Sequence, residues 1–193
     1  MVGNISNFSN YDLLRAFLLI KEPVSREKLS SELELGEGTI RTILDILKDN
    51  NLISSKRQGH FLSEKGTIFL NNLRESIEGP KRISYDQLHP KLKKAALLVK
   101  NCNKQISFKE RDIAIKNSAE AALLFRFDKN LFLPQAEQDI IDTSQLNYLF
   151  QYKKNDLLII TFADSYRVTE NSALAVCMEL SSFILKDWQS HLS

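Results

Sequence analysis

Two groups of residues have the types and spacing to act on a partner. The first begins in the run Gly36-Glu37-Gly38-Thr39-Ile40-Arg41-Thr42-Ile43-Leu44-Asp45. At 100° per residue Ile40, Ile43, Leu44 and Leu47 make one apolar stripe, which turns Thr39, Arg41, Thr42 and Asp45 to the opposite side. Short hydroxyls near a helix start suit phosphate contacts, because the backbone N–H groups there already favour anions. A guanidinium at position 41 can take a phosphate or pair with the two major-groove acceptors of guanine. Further on, Lys56-Arg57-Gln58-Gly59-His60 gathers cations at a turn. Thr39, Arg41, Thr42, Asp45, Lys56, Arg57 and His60 are thus the residues predicted to meet double-stranded DNA.

The second group is Arg111, Asp112, Arg126 and Asp164, candidates for binding a small ligand. Ser107-Phe108-Lys109-Glu110 is a capping box that fixes where a helix starts. Phe108, Ile115 and Ala119 then align as its expected buried face, with Arg111 and Asp112 on either flank. Charges beside a core stripe need partners, since unpaired burial is costly. They either form a structural pair that holds the helix to a sheet, or they flank a cleft for a polar effector. Arg126 and Asp164 belong to two apolar segments that read as strands.

No catalytic set is expected. GxSxG, P-loop and dinucleotide fingerprints are absent, and Asp128, Asp139, Asp142 and Asp164 are scattered at turns. His60, His89 and His191 have no partner at metal-ligand spacing, so neither a metal nor another cofactor is predicted. Cys102 and Cys177 stand far apart in no CxxC pattern, which argues against structural zinc. Cys177 reads as core filling.

The elements that must position these residues follow from the same periodicities. Ser9 and Ser25 open two helices, the Gly36–Gly38 turn leads into a third, and a short hairpin around Gln58-Gly59 precedes a fourth capped by Ser63. Residues 1–78 are read as one domain and 79–92 as a linker broken by Gly79-Pro80. Residues 93–193 are read as an α/β domain. The second domain runs βαββαβα, with strands near 95–100, 121–128, 131–133 and 157–164. Helices are placed at 107–118, 144–152 and 169–187. That order fits a ferredoxin-like sandwich with an added C-terminal helix, giving an α+β chain overall.

Strands such as Leu157–Asp164 are apolar on both faces, so something must cover the face without helices: the last helix, the first domain or a second subunit. Ala173, Val176, Cys177, Leu180 and Ile184 form a stripe suited to part of that cover. Trp188 is expected either to cap this packing or to anchor a dimer.

Charge is close to balanced. Residues 1–78 carry ten Lys and Arg against eleven Asp and Glu, and the whole chain is +2. Nucleic-acid contact would therefore rest on a local patch rather than bulk charge, and would call for a homodimer. No apolar run is long enough to cross a membrane, and no export signal is read, so a reducing cytoplasm is expected.

A helix, turn, helix and basic-tipped hairpin is the layout of a winged helix-turn-helix. The segment "LGEGTIRTILDILKDNNLISSKRQGHFLSEKG" resembles the winged helices of many archaeal and bacterial regulators. Glu110-Arg111-Asp112-Ile113-Ala114-Ile115-Lys116, Leu131-Phe132-Leu133-Pro134 and Asp156-Leu157-Leu158-Ile159-Ile160-Thr161-Phe162-Ala163-Asp164 extend the likeness. They resemble an uncharacterised archaeal family in which such a module precedes a domain of unknown function. The resemblance implies a transcription-regulator-like protein. Relatives carry Gly where this chain has Ser118-Ala119-Glu120-Ala121, a departure that bears on any close backbone approach there. Three readings follow. The first is a dimeric, duplex-binding regulator whose C-terminal domain dimerises and can sense a small molecule. The others are an enzyme with a fused regulatory winged helix, and a winged helix used for protein assembly.

Overall fold

Ser9 opens α1 (Asn10–Leu19) with a reciprocal capping box: its side chain accepts the Asp12 N–H while Asp12 accepts the Ser9 N–H. This is the first element of a computed structural model that describes residues 7–134, 141–181, 188–190 and 192. Ser25 caps α2 (Arg26–Leu33), and α3 follows over Glu37–Asp49. β1 (Ile53–Lys56) and β2 (Gly59–Leu62) form an antiparallel hairpin, and α4 runs over Glu64–Ser76.

Left-handed residues that are not glycine end two of these helices. Glu34 (φ 55°) closes α2 and Asn51 (φ 57°) closes α3. After α3 the Leu52 N–H reaches Leu47 O at 2.9 Å and the Asn51 N–H reaches Lys48 O at 2.8 Å, a Schellman motif. Leu52 is thereby fixed where α4 can pass close to it. Ser63 Oγ accepts the Gly66 N–H at 3.0 Å and donates to Asn51 O at 2.5 Å.

The chain divides into two compact units: residues 1–72 with 186–193, and residues 73–185. The division falls inside α4 rather than at 78 or 92. In the first unit Trp188 is fully buried, with its ring 5.8 Å from Phe17 and 5.9 Å from Phe69. Neither expectation for Trp188 holds: its ring is buried in the first unit against Phe17 and Phe69, where three aromatic side chains pack together. Asp12 and Arg15, 0% and 1% exposed, pair at 3.2 Å, and Arg15 also donates to Leu33 O at 3.2 Å.

The second unit holds a five-stranded antiparallel sheet in the order β3-β4-β7-β5-β6, formed by β3 (Ile77–Arg82), β4 (Lys93–Val99), β5 (Ala121–Phe127), β6 (Leu131–Phe132) and β7 (Leu157–Ala163). Helix α5 spans Phe108–Lys116 and α6 spans Tyr166–Leu180. This order differs from the ferredoxin-like expectation, in which the last strand lies at an edge. Every residue of β7 is buried, and a strand apolar on both faces belongs in the middle of a sheet. The segment read as a linker supplies β3 as an edge strand. The helix expected over 144–152 is a single 3-10 turn, Leu146–Tyr148. Ile184, Asp139 and His191 lie outside the described residues.

Helices α5 and α6 pack on one face of this sheet, where Thr161 Oγ1 donates to Thr169 O at 2.7 Å and Ser172 Oγ to Asn117 O at 2.9 Å. The other face is covered by the same unit, from segments 83–92 and 141–152. Tyr85, Leu146 and Phe150 pack there on Ala96, Leu98, Phe125, Leu158, Ile160 and Phe162. Tyr85 also donates its hydroxyl to Asp142 O at 2.9 Å, tying the two covering segments together.

Candidate functional site

The α3 stripe of Ile40, Ile43, Leu44 and Leu47 is buried, which leaves Arg41, Thr42 and Asp45 exposed and Thr39 partly so. Gly36 is the N-cap and makes no side-chain capping bond. A Cβ added at Gly36 or Gly38 would meet nothing within 4 Å, so the leading turn stands clear of the rest of the chain. The acidic residues near it are paired: Glu37 with Arg26 at 3.4 Å and Asp45 with Lys48 at 3.6 Å. Among the described residues Arg41 and Arg57 enter no ion pair, and Lys56 rests over the Phe61 ring at 5.0 Å. Local positive charge thus survives on a near-neutral unit.

His60 plays a different part from its neighbours at the hairpin tip. Its backbone exchanges two 2.9 Å hydrogen bonds with Val24, and Gly59, at φ 125°, lies so close that an added Cβ would sit 2.6 Å from Val24 O. The ring Nδ1 lies 2.8 Å from Ser55 Oγ. Burial, then the charges of Lys48 and Arg26, hold its pKa below the usual histidine value, with Asp45 opposing. His60 is therefore neutral at pH 7. It fastens the hairpin to the turn before α2 and leaves the positive charge there to Lys56 and Arg57.

The second group of residues is not gathered into one place. Arg111 and Asp112 lie on the outward face of α5, with Phe108 at 59% and Ile115 at 44% exposure, while Ala114 is the buried residue. Of the expected buried stripe Phe108 and Ile115 are therefore exposed, and only Ala119, just past the end of the helix, is buried. The small Ala114 side chain lets the helix settle closely on its neighbours, which Phe108 in that position would prevent. Arg126 spends its guanidinium on backbone carbonyls: Cys102 O, Asn155 O at 3.2 Å and Lys104 O at 2.5 Å. Asp164 is exposed just past the end of β7, whereas Arg126 pairs with Leu157 at its beginning. Seven strand residues separate those ends by about 23 Å. Of the four, Arg111 lines a small cleft of about 90 Å³, open to solvent and walled by Ile106, Phe108, Leu124, Leu133 and Pro134.

Periodicity alone gave no sign of the Arg126 clamp or of the direction in which α5 faces. Glu110 was legible: although burial opposes it, hydrogen bonds from Ser107 hold its carboxyl below the usual range, as a capping box requires. Cys177 is fully buried, and that burial pushes its thiol up to about 12. Among the described residues no group of three or more His, Cys, Asp or Glu is placed to hold a metal ion, and no helix is long and apolar enough to cross a membrane.

Fold and sites together define an α+β protein in which a helical, hairpin-bearing unit precedes a five-stranded antiparallel sheet unit. Residues 11–68 match the family described as "PH0730-like, N-terminal domain", and residues 91–180 match "Domain of unknown function (DUF4443)". The chain is similar over 95% of its length, at 30% identity and a TM-score of 0.80, to "Hypothetical protein PH0730 from Pyrococcus horikoshii OT3", of which it covers 99%. The chain belongs to this PH0730-like family. No curated protein matches it.

Proposed function

We propose that the chain is a DNA-binding transcriptional regulator that acts by binding rather than catalysis. In this reading the first unit is a winged helix-turn-helix, α3 lies in the major groove and the β1–β2 hairpin is the wing on the adjacent backbone. The observation that carries the reading is the leading turn of α3: two unobstructed glycines, an N-terminus without a side-chain cap, and Arg41 with no ion pair among the described residues. Such a turn lets backbone N–H groups approach a phosphate while Arg41 reaches a base edge or phosphate. Lys56 and Arg57 add two backbone contacts per protomer. Duplex DNA and a second copy of the chain are the partners, and the sheet unit serves dimerisation. A role in sensing a small molecule would centre on the Arg111 cleft.

Three cations per protomer make six in a dimer, and each phosphate contact steepens the dependence of log affinity on log salt by about 0.9. Duplex DNA selected by the purified protein should therefore bind the Arg41→Ala/Lys56→Ala/Arg57→Ala variant far more weakly. Its salt slope should be shallower by up to about 5. Equal affinity and equal slope for both proteins would discard the assignment. Failure to hold any duplex at low salt, with a copurifying protein, would favour the protein-assembly reading.

A further inference from the structure

Where β3 and β7 begin and β4 ends, the sheet unit holds a cavity of about 460 Å³. The strand order β3-β4-β7 puts two strand spacings, about 10 Å, between the segment entering β3 and the segment entering β7. The first segment contributes Glu75 and Glu78 to the cavity wall, and the second contributes Gln151, Lys153 and Lys154. The turn after β4 lies between them with Lys100 and Asn101. Asp156, 3% exposed, locks that turn to the second wall: its carboxylate accepts the Asn101 N–H at 2.9 Å and the Lys153 N–H at 2.8 Å. The shape of the cavity is thus set by strand spacing and by one buried carboxylate.

The chemistry of the walls excludes most occupants. Among the described residues every lining side chain is polar or charged, so an aromatic or aliphatic effector would find no apolar side chain to cover it. Three lysines face three carboxylates, and most of these charges are already used within the chain. Lys100 Nζ donates to Arg74 O at 2.6 Å, Lys154 pairs with Asp128 at 3.5 Å, and Glu78 pairs with Lys81 at 2.6 Å. Asp156 is taken up by the two amides. Glu75 and Lys153 remain: both are exposed, and neither enters an ion pair among the described residues. One carboxylate and one ammonium on separate walls select a molecule that carries one charge of each sign. A simple anion would be repelled by Glu75, and a simple cation by Lys153. The side-chain amides of Asn101 and Gln151 offer donors and acceptors to the uncharged polar part of such a molecule.

We infer that this cavity binds a small zwitterion of the free amino-acid class, one with a polar side chain, Glu75 taking its ammonium and Lys153 its carboxylate. The volume lies in the range of metabolite pockets. The site is separate from the Arg111 cleft and lies wholly within residues 73–185. It depends on neither the DNA binding nor the dimer proposed above.

Calorimetric titration of the full chain, without DNA, with each of the twenty free amino acids tests it. At least one polar amino acid should bind with a Kd of about 1 mM or below. Glu75→Gln and Lys153→Gln should each weaken that binding by about tenfold or more, because each leaves one charge of the ligand unanswered. The N-acetylated and the amidated forms of the same amino acid, which lack the ammonium and the carboxylate, should lose as much on the wild type. Circular dichroism should be unchanged in both variants, since both positions are exposed. Lys109→Gln, which removes a charge on α5 outside the cavity, should bind as the wild type does. If Glu75 and Lys153 only paired with each other, no added compound would bind. No binding by any of the twenty at about 10 mM, binding that survives both substitutions, or equal binding of the acetylated or amidated form would each overturn the assignment. So would tighter binding of inorganic phosphate or of putrescine, the probes for a site of one sign. The Arg41→Ala/Lys56→Ala/Arg57→Ala variant should bind the amino acid unchanged, so failure of the DNA reading and failure of this one are read separately.

Discussion

Gly66 is where a single methyl group tests the packing of the first unit most sharply. A Cβ built there would lie 2.0 Å from Leu52 O and 2.9 Å from Leu52 C. Real Cβ contacts stay beyond 3.0 Å, so Gly66→Ala must drive α4 and the Leu52 peptide apart by about 1 Å. That peptide is fixed from both sides: its N–H bonds Leu47 O at 2.9 Å and its O accepts the Ser63 N–H at 3.1 Å. Losing one such bond costs about 1 kcal/mol and overpacking adds about 1–3 kcal/mol, against a helix-propensity gain for Ala of about 1 kcal/mol. The net loss is about 1–3 kcal/mol, which lowers the melting midpoint of a unit this size by roughly 10 °C. Gly38→Ala is the control, because an added Cβ there meets nothing within 4 Å. It should hold or raise stability by up to about 1 kcal/mol, yet weaken duplex binding if the leading turn of α3 approaches a phosphate. Thermal and urea unfolding by circular dichroism read both variants. Should Gly66→Ala melt within about 2 °C of the wild type, the close packing of α4 on Leu52 would be refuted.

Ser118 sits at φ 72° after α5, with its N–H on Ile115 O at 2.9 Å and the Ala119 N–H on Ala114 O at 3.0 Å. Ser118→Gly should therefore stabilise the sheet unit by about 0.5–1 kcal/mol, read as a higher urea midpoint at unchanged m-value. Arg15→Ala removes the guanidinium beside a fully buried carboxylate and should cost about 3–5 kcal/mol; a loss under about 1 kcal/mol would show that Asp12 is satisfied without it. The lowered pKa of His60 means that the unfolded chain binds more protons than the folded one below about pH 6.5. Stability should fall as pH drops below that point, until the depressed folded pKa is passed. His60→Gln should flatten this part of a pH-dependent denaturation series, and an unchanged slope would count against the buried, neutral ring.

Where the chain carries local signals, sequence and structure agree closely. Ser9, Ser25, Ser63 and Ser107 each accept a first-turn N–H of the helix that follows, because a short hydroxyl before a helical run has few better uses. Asn51 and Glu34 in left-handed caps were not legible as such, since nothing local demands φ > 0 of a residue that is not glycine. The place of β3 was hidden by Gly79-Pro80, which reads as a break but occupies an irregular stretch of an edge strand. The strand order could not come from periodicity, which says that β7 is buried on both faces without saying between which neighbours.

The α5 helix shows why the site was less legible than the fold. Its spacing marks Phe108, Arg111, Asp112 and Ile115 as sharing one side, and they do share it. Spacing carries no sign, however, and two large apolar residues are ordinarily taken to point inward. What reversed the direction was a small residue: Ala114 lets the backbone of α5 come close to the elements beneath it, and so sends the bulky stripe outward. The same step separates the candidate residues by role. Arg126 is drawn into a clamp on the carbonyls of Cys102, Lys104 and Asn155, where it holds the loop before α5 in place. Arg111 and Asp112 stay exposed on α5, where the Arg111 guanidinium lies 5.5 Å from the Phe108 ring centroid. A charge beside a core stripe is thus ambiguous until the depth of its helix is known, and one alanine sets that depth here.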